Sequence, residues 1–186
     1  MRHPLIALSV ALAMLSPAAL AGPGPKLPGQ YLGEPDSVRL YPYVDLSRET
    51  QRQIVVDREP GQYLGHPSTV LLEDGRTLLC VYPKGHGKGP IVLKRSTDGG
   101  LTWSARLPVP ENWSTSLETP TLYRIVDAAG RKRLILWSGL YPARFSLSDD
   151  DGRTWTPLRA AGDWGGIVVM GSLAPVRAQP GHYLAW

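Results

Sequence analysis

A glycine-spaced basic loop and two acidic residues are the parts of this sequence whose residue types could do chemistry. Lys84, His86 and Lys88 alternate with glycine between two apolar runs. Such side chains can bind an acidic or polar ligand through charge-assisted hydrogen bonds. Glu118, which precedes Thr-Pro, and Asp163 are the candidate carboxyls, one of which could protonate a leaving oxygen. The alternative interpretations are a solvated, flexible loop and turn or edge carboxylates.

Two further residues join the set of candidate ligand-binding side chains. Arg144 opens an apolar run and could pair with a ligand carboxylate, although a surface strand residue has the same pattern. His66 could contribute with His86, but two histidines without a nearby carboxylate or cysteine are a weak metal set, so we predict no metal site and no cofactor. The single cysteine, Cys80, lies in an apolar run and is interpreted as a small buried residue.

Two copies of one eight-residue pattern indicate an internal repeat. The pattern S-x-D-x-G-x-T-W occurs at residues 96–103 and again at residues 148–155, 52 residues apart. A period of about 50 residues is typical of propellers and repeat arrays. The defined positions are Ser96, Asp98, Gly100, Thr102 and Trp103 in the first copy and Ser148, Asp150, Gly152, Thr154 and Trp155 in the second.

Each copy fits a turn between two strands. An Asp in a turn accepts hydrogen bonds from backbone amides ahead of it, and a Gly tolerates a positive φ. The Thr-Trp pair suits the start of a returning strand, where the indole can bury apolar area under the turn. We therefore predict that these ten residues are structural.

The two copies resemble the Asp-boxes, or BNR repeats, of the sialidase (neuraminidase) superfamily. The resemblance implies an all-β fold, a six-bladed β-propeller in which each box closes the hairpin between the third and fourth strands of a blade. It places the boxes on the outer rim and a carbohydrate site at the centre. It implies an exo-glycosidase acting on the terminal sugars of glycans.

Two positions depart from the sialidase pattern. Sialidases carry an Arg-Ile-Pro motif at the first inner strand, where this sequence has His66 before Pro67. They also carry an acidic acid/base residue in the loop that here holds Lys84, His86 and Lys88. A glycosidase needs two carboxyls, for which Glu118 and Asp163 are the candidates. A non-catalytic carbohydrate- or protein-binding propeller is therefore the alternative function.

Strand and turn signals recur with the boxes. The first repeat has apolar runs at 67–72, 77–82 and 91–95, with an Asp-Gly turn after the first run. The second repeat has runs at 120–126, 133–138 and 144–147, and a third begins at 167–170, 172–176 and 182–186. Trp113, Trp137 and Trp164 could stack on sugars, but packing between strands is the default interpretation.

The repeats set the predicted domain boundaries. Residues 50–186 form a partial propeller, with blade one at about 50–107, blade two at about 117–159 and blade three started at about 165–186. Because about 50 residues make one blade, the chain covers roughly two and a half, and we expect further blades in a longer chain.

The N-terminal region has the pattern of a secretory signal. Arg2 and His3 precede an apolar run, and an A-x-A site ends at Ala21. We predict a signal peptide over 1–21, a Pro/Gly-rich leader over 22–49 and a secreted or periplasmic protein without a membrane span.

Composition narrows the class of partner. The formal net charge is only +4, and no basic stripe interleaved with aromatics is present. The sequence therefore predicts a glycan or small sugar ligand, which its positive charge allows to be acidic, and no nucleic acid.

Overall fold

The computed structural model describes residues 44–163, 165–166 and 168–186. The predicted signal peptide and the leader up to residue 43 lie outside the described residues, as does Trp164. Residues Gln51–Trp186 form one compact unit. In the preceding unit, Met1–Thr50, the described residues include a turn in which Ser47 N donates to Asp45 Oδ1 at 2.9 Å.

The described residues form an all-β fold without an α-helix. Two 3₁₀ helices, Thr50–Arg52 and Glu111–Thr115, are the only helical segments among them. No helix in this part of the chain is long and apolar enough to cross a membrane. The strands are β1 (Ser68–Leu71), β2 (Leu78–Pro83), β3 (Ile91–Ser96), β4 (Pro120–Val126), β5 (Lys132–Ser138), β6 (Arg144–Ser148), β7 (Arg159–Ala160), β8 (Leu173–Pro175) and β9 (Tyr183–Ala185).

The strands pair in sequence order as antiparallel sheets. The first sheet is β1-β2-β3, the second is β4-β5-β6-β7, and β8 pairs with β9. The prediction of an all-β, antiparallel fold is confirmed, and the predicted runs of the first two repeats agree with the strands to within one residue at each end. Closure into a propeller and the number of blades stay predictions.

The first two sheets share one apolar core. Leu79 and Val81 of β2 are fully buried with Leu134 and Leu136 of β5, in a cluster that also holds Trp113. The intervening residues of β2, Cys80 and Tyr82, point to the opposite face of the sheet, as alternation in a strand requires. Val56 and Leu64 cover them there. The first sheet is therefore buried on both faces.

Two predicted strands are not formed. The described residues 168–170 of the third repeat are not in a strand. The segment after the first box also forms no regular fourth strand, although Ser104 N donates to Arg95 O at 2.8 Å and Leu107 N to Leu93 O at 2.9 Å. Pro108 stands where the second repeat has Ala160 of β7, and a proline has no backbone N–H to donate to a ladder.

Chain direction separates the loops of the two larger sheets into two ends. β1, β3, β4 and β6 begin at the end where β2 and β5 finish, which we call the site end. The two boxes follow β3 and β6 at the opposite end, the box end. β1 and β4 lie side by side, and Leu122 N donates to Ser68 Oγ at 3.0 Å between them. Both sheets therefore present their candidate residues at one end.

Candidate functional site

The basic loop, residues 84–89, has a shape that its glycines determine. Gly85 and Gly89 have positive φ values of 151° and 116°. A Cβ on Gly85 would lie 2.4 Å from Lys88 O, and one on Gly89 would lie 2.5 Å from Lys84 O. Only glycine allows the two sides of the loop to approach this closely. The glycines thus build a closed hairpin loop in addition to separating the charges.

The basic loop meets the segment that carries Glu118. Gly89 N donates to Ser116 O at 3.2 Å. A Cβ on Gly87, whose φ is 75°, would lie 3.0 Å from Glu118 Oε1. The carboxylate therefore lies directly against the backbone of the loop between β2 and β3.

One oxygen of Glu118 is fixed and the other is available. Thr119 donates twice to Oε1, from its backbone N at 2.8 Å and from its Oγ1 at 3.1 Å. Oε2 accepts no hydrogen bond from the residues that the structure describes. A half-buried carboxylate with one anchored and one available oxygen can exchange a proton with a ligand.

Three rings form an aromatic cluster beside the basic loop: Tyr63, His66 and His86. The imidazoles of His66 and His86 stack with centroids 4.9 Å apart and planes 21° apart. Tyr63 stacks on His86 at 5.3 Å and 28°, and its centroid also lies 6.3 Å from that of His66, so the three rings form a triangle. All three residues are exposed. The sequence pattern indicated the two histidines but not Tyr63.

His66 adopts an unusual backbone conformation. Its φ is 52°, in the left-handed region that non-glycine residues rarely occupy, and it directly precedes Pro67. Such a conformation costs on the order of 1–3 kcal/mol and persists where the surrounding structure imposes it. The strained backbone holds the imidazole of His66 against that of His86.

The three candidate cations have different surroundings. Lys84 forms an ion pair with Glu59 at 3.0 Å. Arg144 donates to Thr115 from Nη1 to Oγ1 at 2.7 Å and from Nη2 to the carbonyl oxygen at 2.6 Å. Lys88 is exposed, and its ammonium has no ion-pair partner within the described ranges. Two of the three predicted ligand-binding cations are thus already paired with, or hydrogen-bonded to, protein atoms.

Arg144 fixes the segment that leads to Glu118. Its Nη2 bonds the carbonyl of Thr115, the last residue of the second 3₁₀ helix. Its Nε is buried without a hydrogen-bond partner. Desolvation lowers the pKa of the guanidinium below its ordinary value. The structure gives Arg144 a positioning contact, and its contact with a ligand stays a prediction.

The second candidate carboxyl, Asp163, is not joined to Glu118 by any described contact. Asp163 is exposed. The residues after it approach the loop between β5 and β6, where Ala143 N donates to Gly165 O at 3.5 Å. The structure therefore places Glu118 against the basic loop and stacks His66 on His86 of the same loop, and no described contact joins Asp163 to them.

The tryptophans considered as sugar platforms pack among other side chains where they are described. Trp113 is 0% exposed and packs edge-on against Trp155 with centroids 5.3 Å apart. Trp137 lies 5.7 Å from the ring of Phe145. Packing is thus the role that the contacts of Trp113 and Trp137 support, and Trp164 lies outside the described residues.

At the box end, the first box forms a closed hydrogen-bond set. Asp98 Oδ1 accepts from Ser96 Oγ at 2.7 Å and from Thr102 N at 2.9 Å, and its Oδ2 accepts from Thr102 Oγ1 at 2.6 Å. Gly100 N donates to Ser96 Oγ at 2.8 Å, and Trp103 Nε1 donates to Gly100 O at 3.0 Å. The bonds from Thr102 and then Ser96 hold the pKa of Asp98 at about 2.

The second box repeats this set bond for bond. Asp150 Oδ1 accepts from Ser148 Oγ at 2.8 Å and from Thr154 N at 2.9 Å, and Oδ2 accepts from Thr154 Oγ1 at 2.6 Å. Gly152 N donates to Ser148 Oγ at 2.8 Å, and Trp155 Nε1 donates to Gly152 O at 3.2 Å. All ten box residues therefore bond within their own turns.

The residue after each box tryptophan belongs to the repeat as well. Arg95 N donates to Ser104 Oγ at 3.0 Å, and Leu147 N donates to Thr156 Oγ1 at 2.9 Å. A hydroxyl thus meets the strand backbone at the same place in both copies. Sequence reasoning could have found this signal, because Ser104 and Thr156 are also 52 residues apart.

The second box packs on the first sheet. A Cβ on Gly152 would lie 2.5 Å from Leu79 Cδ1. Arg95 Nη2 of β3 donates to the carbonyl of Asp151 at 2.6 Å, and Arg124 of β4 pairs with Glu73, which follows β1, at 2.9 Å. The box end is therefore where the two sheets are joined by close packing and charge.

A second charged network fixes the segment with Val56 and Leu64, which covers the Cys80 and Tyr82 face of the first sheet. Asp57 accepts a hydrogen bond from Tyr82 and another from Arg106, the latter at 2.7 Å. Lys94 Nζ donates to Val56 O at 2.5 Å. Burial raises the pKa of Asp57, but the bonds from Tyr82 and Arg106 outweigh it and lower the pKa to about 2.

A small apolar cavity lies under this segment. Its volume is about 200 Å³, and its lining includes Val55, Leu64, Cys80 and Tyr82. Burial raises the pKa of the Cys80 thiol to about 11. The thiol is therefore protonated at neutral pH and behaves as a small buried side chain.

Among the described residues, no group of three or more His, Cys, Asp or Glu side chains is placed to hold a metal ion. His66 and His86 face each other ring to ring instead of converging on a common point.

Comparison with known proteins gives a limited likeness. No protein-family model matches this chain, and no curated protein matches it in sequence. It is similar to the GH93 alpha-L-arabinofuranosidase of Fusarium graminearum with arabinobiose, at 19% identity over 55% of this chain and 33% of that one, with a TM-score of 0.41. It is also similar to a mutant alpha-L-arabinofuranosidase of the same organism with an iminosugar inhibitor, at 20% identity over 57% of this chain and 33% of that one, with a TM-score of 0.41. The chain thus spans about a third of the length of these structures.

Proposed function

We propose that this chain is part of an Asp-box glycosidase that removes terminal sugars from glycans. In this enzyme, Glu118 is the carboxyl that protonates the leaving oxygen. The observation that carries the proposal is the place of Glu118. It lies at the site end, against the backbone of Gly87, with one carboxylate oxygen available. An acid for glycoside cleavage must reach the bond while its orientation stays fixed.

The surrounding residues supply orientation. Thr119 anchors Oε1 of Glu118, which leaves Oε2 to act on a ligand. Arg144 holds Thr115, three residues before Glu118, through two hydrogen bonds. The imidazoles of His66 and His86 lie on the loop side of the carboxylate and offer ring nitrogens to sugar hydroxyls.

Asp163 is the second carboxyl in this proposal. Its part would be to stabilise the developing cation or to activate water, as the partner carboxyl of a glycosidase does. The wider proposal is an exported, six-bladed propeller of the sialidase superfamily, of which this chain contains part. The box motif and its two identical hydrogen-bond sets support that assignment.

The test is hydrolysis by the full-length protein of a panel of 4-nitrophenyl glycosides, a sialoside and arabinobiose. The sialoside follows from the motif resemblance, and arabinobiose is the ligand in one of the structures compared above. Release of a single terminal sugar supports the proposal. Binding of a sugar without any turnover contradicts it.

The second candidate function is a non-catalytic carbohydrate-binding propeller. One observation favours it: Asp163 is exposed and has no described contact with the Glu118 segment. Under this function, sugar affinity persists when Asp163 is replaced, and no member of the panel is hydrolysed. Hydrolysis of the panel by the wild type separates the two candidates, and isothermal titration of the same saccharides distinguishes binding without turnover from a lack of binding.

A further inference from the structure

We infer that the aromatic cluster is a stacking subsite for an uncharged sugar ring, with the exposed face of Tyr63 as its platform. The inference rests on the proposed function, because it specifies the kind of sugar that lies beside Glu118. It departs from the acidic ligand that the basic loop first suggested.

Tyr63 is a large ring left open to solvent at the site end. It is 54% exposed. A Cβ on Gly65 would come within 2.4 Å of Tyr63 Cε1, so only a glycine at position 65 leaves the space that this ring occupies. His86 contacts Tyr63 at 5.3 Å, which limits the directions in which the ring can turn.

The cluster connects directly to the candidate acid. His86 is next to Gly87, and Gly87 is the residue whose backbone meets Glu118 Oε1. A sugar ring on Tyr63 would thus lie one loop away from the carboxylate. Rigid aromatic faces with a few convergent polar groups are what a small-molecule site offers.

The charges around the cluster favour an uncharged ring. The ammonium of Lys84 is paired with Glu59 at 3.0 Å, and both Nη atoms of Arg144 are bonded to Thr115. Lys88 is the remaining candidate cation, and it is exposed to water. A sugar carboxylate would find one solvated lysine, whose ion pair contributes little in water.

The experiment measures binding to the full-length protein by NMR, with arabinobiose as the uncharged probe and a sialoside as the acidic one. The ring resonances of Tyr63, His66 and His86 should shift with arabinobiose. Tyr63→Ala should weaken arabinobiose binding by about tenfold or more, while Tyr63→Phe keeps it within about threefold. Trp186→Ala removes another exposed ring, 66% exposed and outside the cluster, and should change nothing.

Thermal unfolding of each variant shows whether the fold is retained, and His86→Phe gives a second replacement that preserves a stacked ring. Wild-type binding of the sialoside but not arabinobiose overturns the inference. Unchanged affinity in Tyr63→Ala overturns it as well, as does a lack of binding by both probes. Binding that depends on Tyr63 without hydrolysis upholds the subsite and contradicts the proposed enzymatic function alone.

Discussion

Replacing Gly152 with alanine should destabilise the protein by more than the same replacement at Gly99. Both glycines lie in box turns with matching φ values, 78° and 76°. A left-handed conformation costs an alanine about 1–2 kcal/mol at either position. A Cβ on Gly99 meets nothing within 4 Å, whereas one on Gly152 lies 2.5 Å from Leu79 Cδ1.

The added clash sets the size of the difference. Overpacking a well-filled core typically costs about 1–3 kcal/mol. Gly152→Ala should therefore lower the free energy of unfolding by about 2–5 kcal/mol, and Gly99→Ala by about 1–2 kcal/mol. Urea unfolding followed by tryptophan fluorescence measures both, provided that the dependence on urea is the same in the two variants.

A double-mutant cycle isolates the contact. In a Leu79→Ala background, the side chain that Gly152→Ala would meet is gone. The replacement at Gly152 should then cost no more than Gly99→Ala costs in the wild type. Equal losses for the two glycines in the wild type would refute the claim that the second box packs on the first sheet.

Three further predictions concern the boxes and the site. Trp155→Ala should lower the free energy of unfolding by about 3 kcal/mol or more, at least as much as Trp103→Ala. The reason is that Trp155 packs in the main core while Trp103 packs in the smaller cluster. Chemical denaturation measures both losses, and a larger loss for Trp103→Ala would contradict the packing. The lowered pKa of Asp98 stabilises the fold above the unfolded pKa of 3.8, and this stability is lost as the pH falls through about 2. Asp98→Asn should therefore lower the thermal midpoint at neutral pH and make the midpoint fall less steeply across this acid range. An unchanged dependence of the midpoint on acid pH would contradict the role of Asp98. Arg144→Lys removes the two-point hold on the segment before Glu118, so kcat on a cleaved glycoside should fall more than KM rises, and a pure KM effect would point to ligand contact instead.

Local sequence signals were sufficient for the strands and the boxes. The run 120–126 corresponds to β4 without any shift, because Pro120 opens it and a turn follows Val126. The box hydrogen bonds join residues at most four apart, such as Asp98 and Thr102. Interactions of this range are fixed by the motif itself.

Long-range contacts were not predictable in this way. The bonds of Asp57 to Tyr82 and Arg106 join residues 25 and 49 positions apart, and no periodicity marks them. The same holds for Arg144, whose partner Thr115 lies 29 positions away and takes up both Nη atoms. The sequence shows that Arg106 and Arg144 are cationic, but it does not show that protein atoms already accept their hydrogen bonds.

Tyr63 was missed for a related reason. Its sequence surroundings, a Gly/Pro-rich stretch, look like a connecting loop. Only the fold shows that Gly65 leaves space for the ring and that His86 arrives from a different loop to stack on it. An aromatic cluster assembled from two loops has no local signature.

The most direct test of the central claim is the turnover of a cleaved glycoside by the Glu118→Gln variant of the full-length protein. The amide keeps the size of the side chain and an oxygen for Thr119, but it cannot donate a proton as an acid. We predict that kcat falls by about 10² or more, while the affinity for the sugar and the thermal midpoint stay close to wild type. Unchanged kcat in this variant would contradict the assignment of Glu118 as the acid.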